Sequence, residues 1–223
     1  MAQRTQLQGV YSRRHHPEPG KVYVAGIDLA GEAEGIEDAV LRYLKPRQDS
    51  TVVTIAEIDT RAVLTLLVPQ QPKINVVEHY WWTGKPHTDL YSTLVDLLKN
   101  VWDCKRVVVD ATGIGQPVAS FLRHSLGSCV IPFQFTQRSK SEIGFDLLAA
   151  INSGRLKVYA ADGSPEYQEF WFEIERAKSH YRPSQTMNFY VDPSEGHDDF
   201  LISLALVVEA AKHYQPRGAR GRH

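Results

Sequence analysis

The 223-residue chain predicts an α/β fold with a mixed central sheet, in which an antiparallel meander comes first and alternating helices and parallel strands follow. Three observations carry this. The run Val22–Ile27 is apolar on both alternating faces, as a central strand covered on both sides must be. Runs rich in β-branched and aromatic residues then follow at Thr51–Ile58, Ala62–Val68 and Ile74–Trp82. From Leu90 onward, helical apolar spacing alternates with short strand-like runs such as Val107-Val108-Val109.

Residues 1–20 are expected to be a linker or disordered, because Pro17-Glu18-Pro19-Gly20 forbids regular structure just before the first strong strand. The folded domain is expected over 21–213, with 214–223 as a basic flexible tail. In the first strand, Gly26 offers close approach to another backbone. Leu90, Leu94, Val95, Leu97, Leu98 and Val101 predict a helix with Asp89 as its cap. Val107–Asp110 reads as a strand and Gln116–Leu126 as a helix stopped by Gly127. A strand over Cys129–Phe135 follows, then a helix over Ser141–Ile151 that starts at Ser141 and stops at Asn152-Ser153-Gly154. Leu156–Tyr159 reads as a short strand. Ser164 and Pro165 open a helix running to Lys178, and Tyr181–Val191 forms a hairpin around Pro183-Ser184-Gln185. The final helix, Asp198 to about Lys212, is apolar almost all round and must be buried.

Composition excludes several classes. Hydrophobic residues make up 43% and the formal net charge is −1, so this is no nucleic-acid-coating basic protein, and binding to a polyanion must be local. No apolar run approaches the roughly 18 residues of a membrane span, and the polar N-terminus is no signal peptide; a cytoplasmic protein is expected. Cys104 and Cys129 stand outside any CxxC pair, which argues against zinc and against a disulfide framework, and both read as small core residues. No G-x-x-x-x-G-K-[ST] motif occurs, so ATP binding is not expected; Gly113-Ile114-Gly115 lacks the full dinucleotide fingerprint.

The chemistry lies in three acidic places: Asp28 ending the first strand, Asp110 ending Val107–Val109, and Asp198-Asp199 opening the buried helix. A carboxylate at the edge of a buried element is costly without a cation or hydrogen-bond partner. The first strand and Val107–Asp110 are expected to be parallel neighbours, which puts their acids side by side at the carboxyl ends where open sheets place their sites. Carboxylates converging without His or Cys make a hard-oxygen site suited to Mg²⁺ or Mn²⁺. Two such ions about 4 Å apart perform phosphoryl transfer, one lowering the pKa of an attacking water and the other stabilising the leaving 3′ oxygen. Taken singly, each acid also fits a blander role: Asp28 and Asp110 as turn residues, Asp198 as an N-cap. Successive helix residues point about 100° apart, so Asp199 is assigned to the ion shared with Asp28 and Asp110, and Asp198 to a second ion or a cap. His197 is either structural, or an outer hydrogen-bond partner or general acid, and Glu57 either faces solvent or joins the acids. Tyr80-Trp81-Trp82 reads as packing rather than a base-stacking platform. Arg138 and Lys140, before the helix assigned to Ser141, could hold a phosphate; Lys178 and Arg182 on the hairpin could do likewise.

The order Gly26-Ile27-Asp28-Leu29-Ala30, then Val109-Asp110-Ala111-Thr112-Gly113, then Gly196-His197-Asp198-Asp199 leading into Ser203-Leu204-Ala205-Leu206, resembles the nuclease domain of phage large terminase subunits. Phe135-Thr136 through Ser139-Lys140, and Asn152-Ser153-Gly154-Arg155-Leu156, share in the resemblance, which spans about Lys21 to Lys212. It implies a ribonuclease H-like fold and a metal-dependent endonuclease that cuts concatemeric double-stranded viral DNA during genome packaging. It carries the metal-binding acids onto Asp28, Asp110 and Asp199, with Asp198 as the additional one, and places DNA near the hairpin. Partners implied are double-stranded DNA, a packaging ATPase domain, the portal and the small terminase subunit, in the host cytoplasm and transiently at the procapsid portal. The ATPase is missing from this sequence, so either the chain is a domain of a longer protein, with residues 1–20 as the remnant linker, or the nuclease is encoded alone; the linker composition of Met1–Gly20 favours the first. Within the same fold, a Holliday-junction resolvase or transposase core shares the carboxylate logic. A non-catalytic DNA- or portal-docking module is the reading in which every acid is a cap or a turn residue.

Overall fold

The computed structural model describes residues 4–29, 50–59, 71–85, 87–113, 115–212 and 214. The strands are β1 (Val22–Asp28), β2 (Ser50–Asp59), β3 (Lys73–Thr83), β4 (Arg106–Asp110), β5 (Val130–Phe133), β6 (Leu156–Val158), β7 (Lys178–Tyr181) and β8 (Met187–Tyr190). The helices are α1 (Arg4–Leu7), α2 (His87–Asp96), α3 (Gly115–Leu126), α4 (Gln137–Asn152), α5 (Pro165–Arg176) and α6 (Asp199–Lys212). The run Ala62–Val68, read as a strand, lies outside the described residues, as does most of the tail from 214 on.

Six strands form one sheet in the order β5-β4-β1-β2-β3-β6, and β7 and β8 form a separate hairpin. Strands β1, β2 and β3 are consecutive antiparallel neighbours; β4 lies parallel to β1, β5 to β4, and β6 to β3. This is the expected meander followed by parallel strands, with β2 running against all the others.

Alternation along the strands divides the core in two. Val24, Val52, Ala56 and Val108 face the side covered by α4, α5 and α6. Tyr23, Ala25, Ile27, Val53, Ile55, Val107 and Val109 face α2 and α3. The same alternation puts Gly26, Asp28 and Asp110 on the α6 side. Gly26 is there because α6 lies directly on it: a Cβ at this position would stand 2.3 Å from the Ser203 carbonyl oxygen and 2.5 Å from the Val207 nitrogen. The close approach expected of Gly26 is therefore made by the final helix. That helix is as buried as its sequence requires, with Phe200 through Val208 all inside, and Ser203 Oγ meets Thr54 Oγ1 of β2 at 2.7 Å.

Several boundaries differ from expectation for local reasons. Helix α2 begins at His87, so Asp89 sits in its first turn instead of capping it, and the helix continues through a wider π-type turn over Leu97–Val101, closed by Trp102 N–H donating to the Leu97 carbonyl at 3.0 Å. Helix α4 starts a turn earlier than Ser141, because Thr136 and Ser139 form a reciprocal capping box. Ser141 is buried instead, its Oγ accepting from Met187 N–H at 2.9 Å. Ser164 and Pro165 open α5 as expected. The hairpin turns through Arg182–Gln185, with Gln185 at φ 59°, and its first strand begins three residues before Tyr181. Cys104 is buried and Cys129 half-buried, both as free thiols. Tyr80 OH accepts from Trp102 Nε1 at 2.9 Å and Trp81 packs edge-on against Phe200, so the aromatic run is engaged in packing.

Residues 4–20, expected as a linker, lie along the β3–β6 side of the sheet. Leu7 is fully buried, Gln8 pairs with Val158, and Tyr11 OH reaches the carbonyls of Val76 and Lys157 at 2.9 and 2.8 Å. The prolines exclude regular structure but not docking through side chains.

Candidate functional site

Asp28 is the last residue of β1 and Asp110 the last of β4, and the parallel register that sets Ile27 beside Val109 brings the two acids abreast on the α6 face. The third contribution comes from the start of α6. Asp198 carbonyl accepts from Ile202 N–H at 2.8 Å, which makes Asp198 the N-cap residue and Asp199 the first residue of the helix. Asp199 Oδ2 accepts from the Ser50 backbone N–H at 3.2 Å, tying α6 to the beginning of β2. Asp110 Oδ1 accepts from Thr112 N–H at 2.7 Å, in the turn where Gly115 packs with no room for a Cβ against the Asp110 carbonyl.

Asp28 is only 8% exposed. Burial pushes its carboxyl well above the usual carboxylate range, and the charges of Asp199, Asp110, Asp198 and Glu173 push it further, in that order. Burial also raises Asp110, while its hydrogen bonds to Thr112 and the charge of Lys140 pull it down. Asp110, Asp198 and Asp199, the other aspartates expected to form a site, thus all lie within electrostatic range of Asp28. Among the described residues, no three His, Cys, Asp or Glu side chains form a cage that could hold a metal ion. Asp110 and Asp199 each direct one oxygen to a backbone amide. The donor set is nonetheless all carboxylate, the chemistry that suits Mg²⁺ or Mn²⁺ and not zinc.

One acid escaped the sequence reading. Glu173 of α5 is 1% exposed, and its Oε2 accepts from the backbone N–H groups of Phe200 and Leu201 at 2.8 and 3.1 Å. Burial, followed by the charge of Asp199, pushes it up to about 10, against the two amides. Its signal was available in outline: Glu173 falls on the apolar stripe Tyr167, Phe170, Trp171 and Ile174 of its helix, where a carboxylate requires a partner.

Glu57 does not join the acids. It pairs with Tyr23 at the opposite end of β1 and is buried between Arg14 and Lys21, with Lys21 Nζ at 2.7 Å. Of the basic residues singled out, Lys140 lies near the acids, its ammonium 5.3 Å from the centre of the Phe189 ring and its charge acting on Asp110. Arg138 is on the exposed first turn of α4 and pairs with Glu142 at 2.8 Å. Lys178 pairs with Glu195 at 2.7 Å. Arg182 stands at the hairpin turn, its N–H bonded to the Thr186 carbonyl, and the hairpin tip is fastened to α4 by Gln137 Nε2 donating to Ser184 Oγ and Thr186 Oγ1 at 3.2 and 3.0 Å.

The strand order with its single reversed strand, and acids at the ends of β1 and β4 facing a C-terminal helix, define a ribonuclease H-like fold. Over most of its length the chain matches the nuclease domains of phage large terminases. The magnesium-bound large terminase nuclease of thermophilic phage G20c superposes with a TM-score of 0.65 at 18% identity, over 92% of this chain and 93% of that one. The large terminase nuclease domain of Thermus phage P74-26 gives 0.60 at 18% identity, over 98% and 96%. The large terminase of bacteriophage HK97 gives 0.54 at 11% identity, over 90% of this chain and 41% of that longer one. No family model and no curated protein matches the sequence. At these identities the likeness is one of fold. No described helix is long and apolar enough to cross a membrane.

Proposed function

We propose that this chain is a divalent-metal-dependent endonuclease that cleaves double-stranded DNA, the nuclease part of a viral packaging terminase. The observation that carries the reading is that Asp28 and Asp110 end the parallel neighbours β1 and β4 on the face covered by α6, whose first turn carries Asp199, in the fold of the terminase nucleases. Carboxyl groups brought together in this way cannot all carry charge unless cations complete them. Asp28, Asp110 and Asp199 would hold the metal, with Asp198 as the fourth acid. When bound, two Mg²⁺ or Mn²⁺ ions lower the pKa of the attacking water and stabilise the leaving 3′ oxygen. Lys140 stands where it would meet a phosphate beside Asp110, and Arg138, Lys178 and Arg182 would hold the DNA backbone further out. The partners that follow are concatemeric viral DNA, a packaging ATPase domain, the portal and the small terminase subunit, in the host cytoplasm and at the procapsid portal. With a net charge of −1, DNA affinity by this chain alone should be weak and salt-sensitive, and holding by those partners would raise its effective concentration.

The test is cleavage of supercoiled plasmid with Mg²⁺ or Mn²⁺, beside EDTA and the variants Asp28→Asn and Asp110→Asn. Each variant should lose several orders of magnitude, since each removes a metal ligand. Cleavage that survives both substitutions would overturn the assignment. A preference for four-way junctions over linear duplex would replace the terminase reading with a resolvase one.

A further inference from the structure

Helix α6 carries Asp199 in its first turn, so the position of that turn decides where the carboxylate stands. With Asp198 as N-cap, the second and third helical residues are Phe200 and Leu201, whose N–H groups have no acceptor inside the helix. A capping side chain of the helix's own chain segment ordinarily takes these two amides. Here both donate to one oxygen of Glu173, at 2.8 and 3.1 Å, from a different helix. A single oxygen shared by two consecutive amides restrains both the rotation and the advance of the turn. Glu173 is buried beside Tyr167, Phe170 and Ile174 of its own helix, so its carboxylate cannot follow a moving partner. The two amides satisfy an oxygen that would otherwise be buried without a partner.

We propose that Glu173 is a positioning residue for Asp199: by clamping the first turn of α6 it sets Asp199 against Asp28 across the end of β1. The inference rests on the metal-nuclease reading and deepens it. Two fixed points then bracket the acid, the Glu173 clamp behind it and the Ser50 N–H on its Oδ2 at 3.2 Å. Further along, the Gly26 contact and the Ser203–Thr54 hydrogen bond hold the remainder of the helix to the sheet. None of these fixes the first turn as Glu173 does.

Two substitutions in the full chain separate acceptance from charge. Glu173→Gln keeps an oxygen that can accept both amides; Glu173→Met keeps the volume and removes the acceptor. Mn²⁺ affinity by titration calorimetry and the Ser50 amide resonance in metal-free protein are the readouts, the second reporting directly on Asp199. Glu173→Gln should stay within about threefold of the parent in Mn²⁺ affinity, with the Ser50 amide unmoved, whereas Glu173→Met should weaken Mn²⁺ by tenfold or more, as loss of an outer hydrogen-bond partner does, and shift that amide. Equal losses in both variants would mean that Glu173 acts through its charge, and an unchanged Glu173→Met would mean that it only fills space; either overturns the inference. Should Glu173→Met fail to fold, Glu173→Ala, which also removes the acceptor, takes its place: it should show the same losses, and an unchanged Ala variant overturns the inference. A parent protein that binds no Mn²⁺ would refute the nuclease reading, while the Ser50 amide would still show whether Glu173 places Asp199.

Discussion

Asp28 shows what a single carboxylate costs when it is buried within reach of other acids. Its carboxyl is raised by burial and by four neighbouring acids, so the folded state binds a proton more readily than the unfolded chain does. Stability attached to this group is therefore full below the ordinary carboxylate range and is lost as pH rises from there through its raised folded value. Asp28→Asn removes the liability. In EDTA the variant should match the parent near pH 4 and exceed it near pH 7, by up to the roughly 4 kcal/mol of one like-charge contact at about 4 Å and an effective dielectric of about 20. Urea denaturation at the two pH values measures this; a deficit of the same size at both would show that the Asp28 carboxylate is a structural hydrogen-bonding group. The variant that should abolish cleavage is thus expected to be the more stable protein.

At the scale of elements, the meeting of β1 with α6 governs the site. Adding a methyl group at Gly26 drives it into the Ser203 carbonyl and the Val207 nitrogen, both backbone atoms that move only with the whole helix. Gly26→Ala should destabilise the protein by about 1–3 kcal/mol, as overpacking does, and should weaken Mn²⁺ binding as Asp199 is pushed from the sheet. Calorimetry and denaturation on one variant read both; an unchanged Tm would mean that α6 does not seat on Gly26. This junction was legible in the sequence, since a glycine in an otherwise apolar strand and a helix apolar all round each call for a close neighbour. The sharing of one face by Asp28 and Asp110 followed from alternation, and the start of α5 from Ser164 and Pro165. What was not legible depended on contacts across the chain. Glu173 could be seen to lie on a buried stripe, but the amides it serves belong to a helix more than twenty residues on. Thr136 rather than Ser141 caps α4 because Ser139 completes the box, a choice between two nearby hydroxyls that the spacing of apolar residues does not make. Glu57 read as an edge residue because its partners, Arg14 and Lys21, come from a segment expected to be loose.

That segment decides how the molecule is held as a whole. Arg13 reaches Glu78 with its Nε, the His79 carbonyl at 2.9 Å, and Glu166 and Asp162 at 3.2 and 3.3 Å, while Glu78 is 1% exposed and takes His15 Nδ1 on its other oxygen at 2.6 Å. Glu57 is held in the same way by Arg14 and Lys21. These pairs are cross-links from residues 13–21 to β2, β3 and the start of α5; the Glu57 pair lies at the end of the sheet away from the acids, since Tyr23, opposite Glu57, and Asp28 are separated by roughly 17 Å of extended strand. The chain entering the domain is therefore anchored to the sheet without touching the site. Buried pairs of this kind contribute little over apolar replacements, but breaking one leaves an uncompensated charge. Arg13→Ala should therefore cost about 3–5 kcal/mol, and the double variant Arg13→Met with Glu78→Met should recover most of it. Urea denaturation of the single and double variants closes the cycle. A single-variant loss below about 1 kcal/mol, the range of exposed pairs, would mean that the Arg13–Glu78 pair does not fasten residues 13–21 to the sheet.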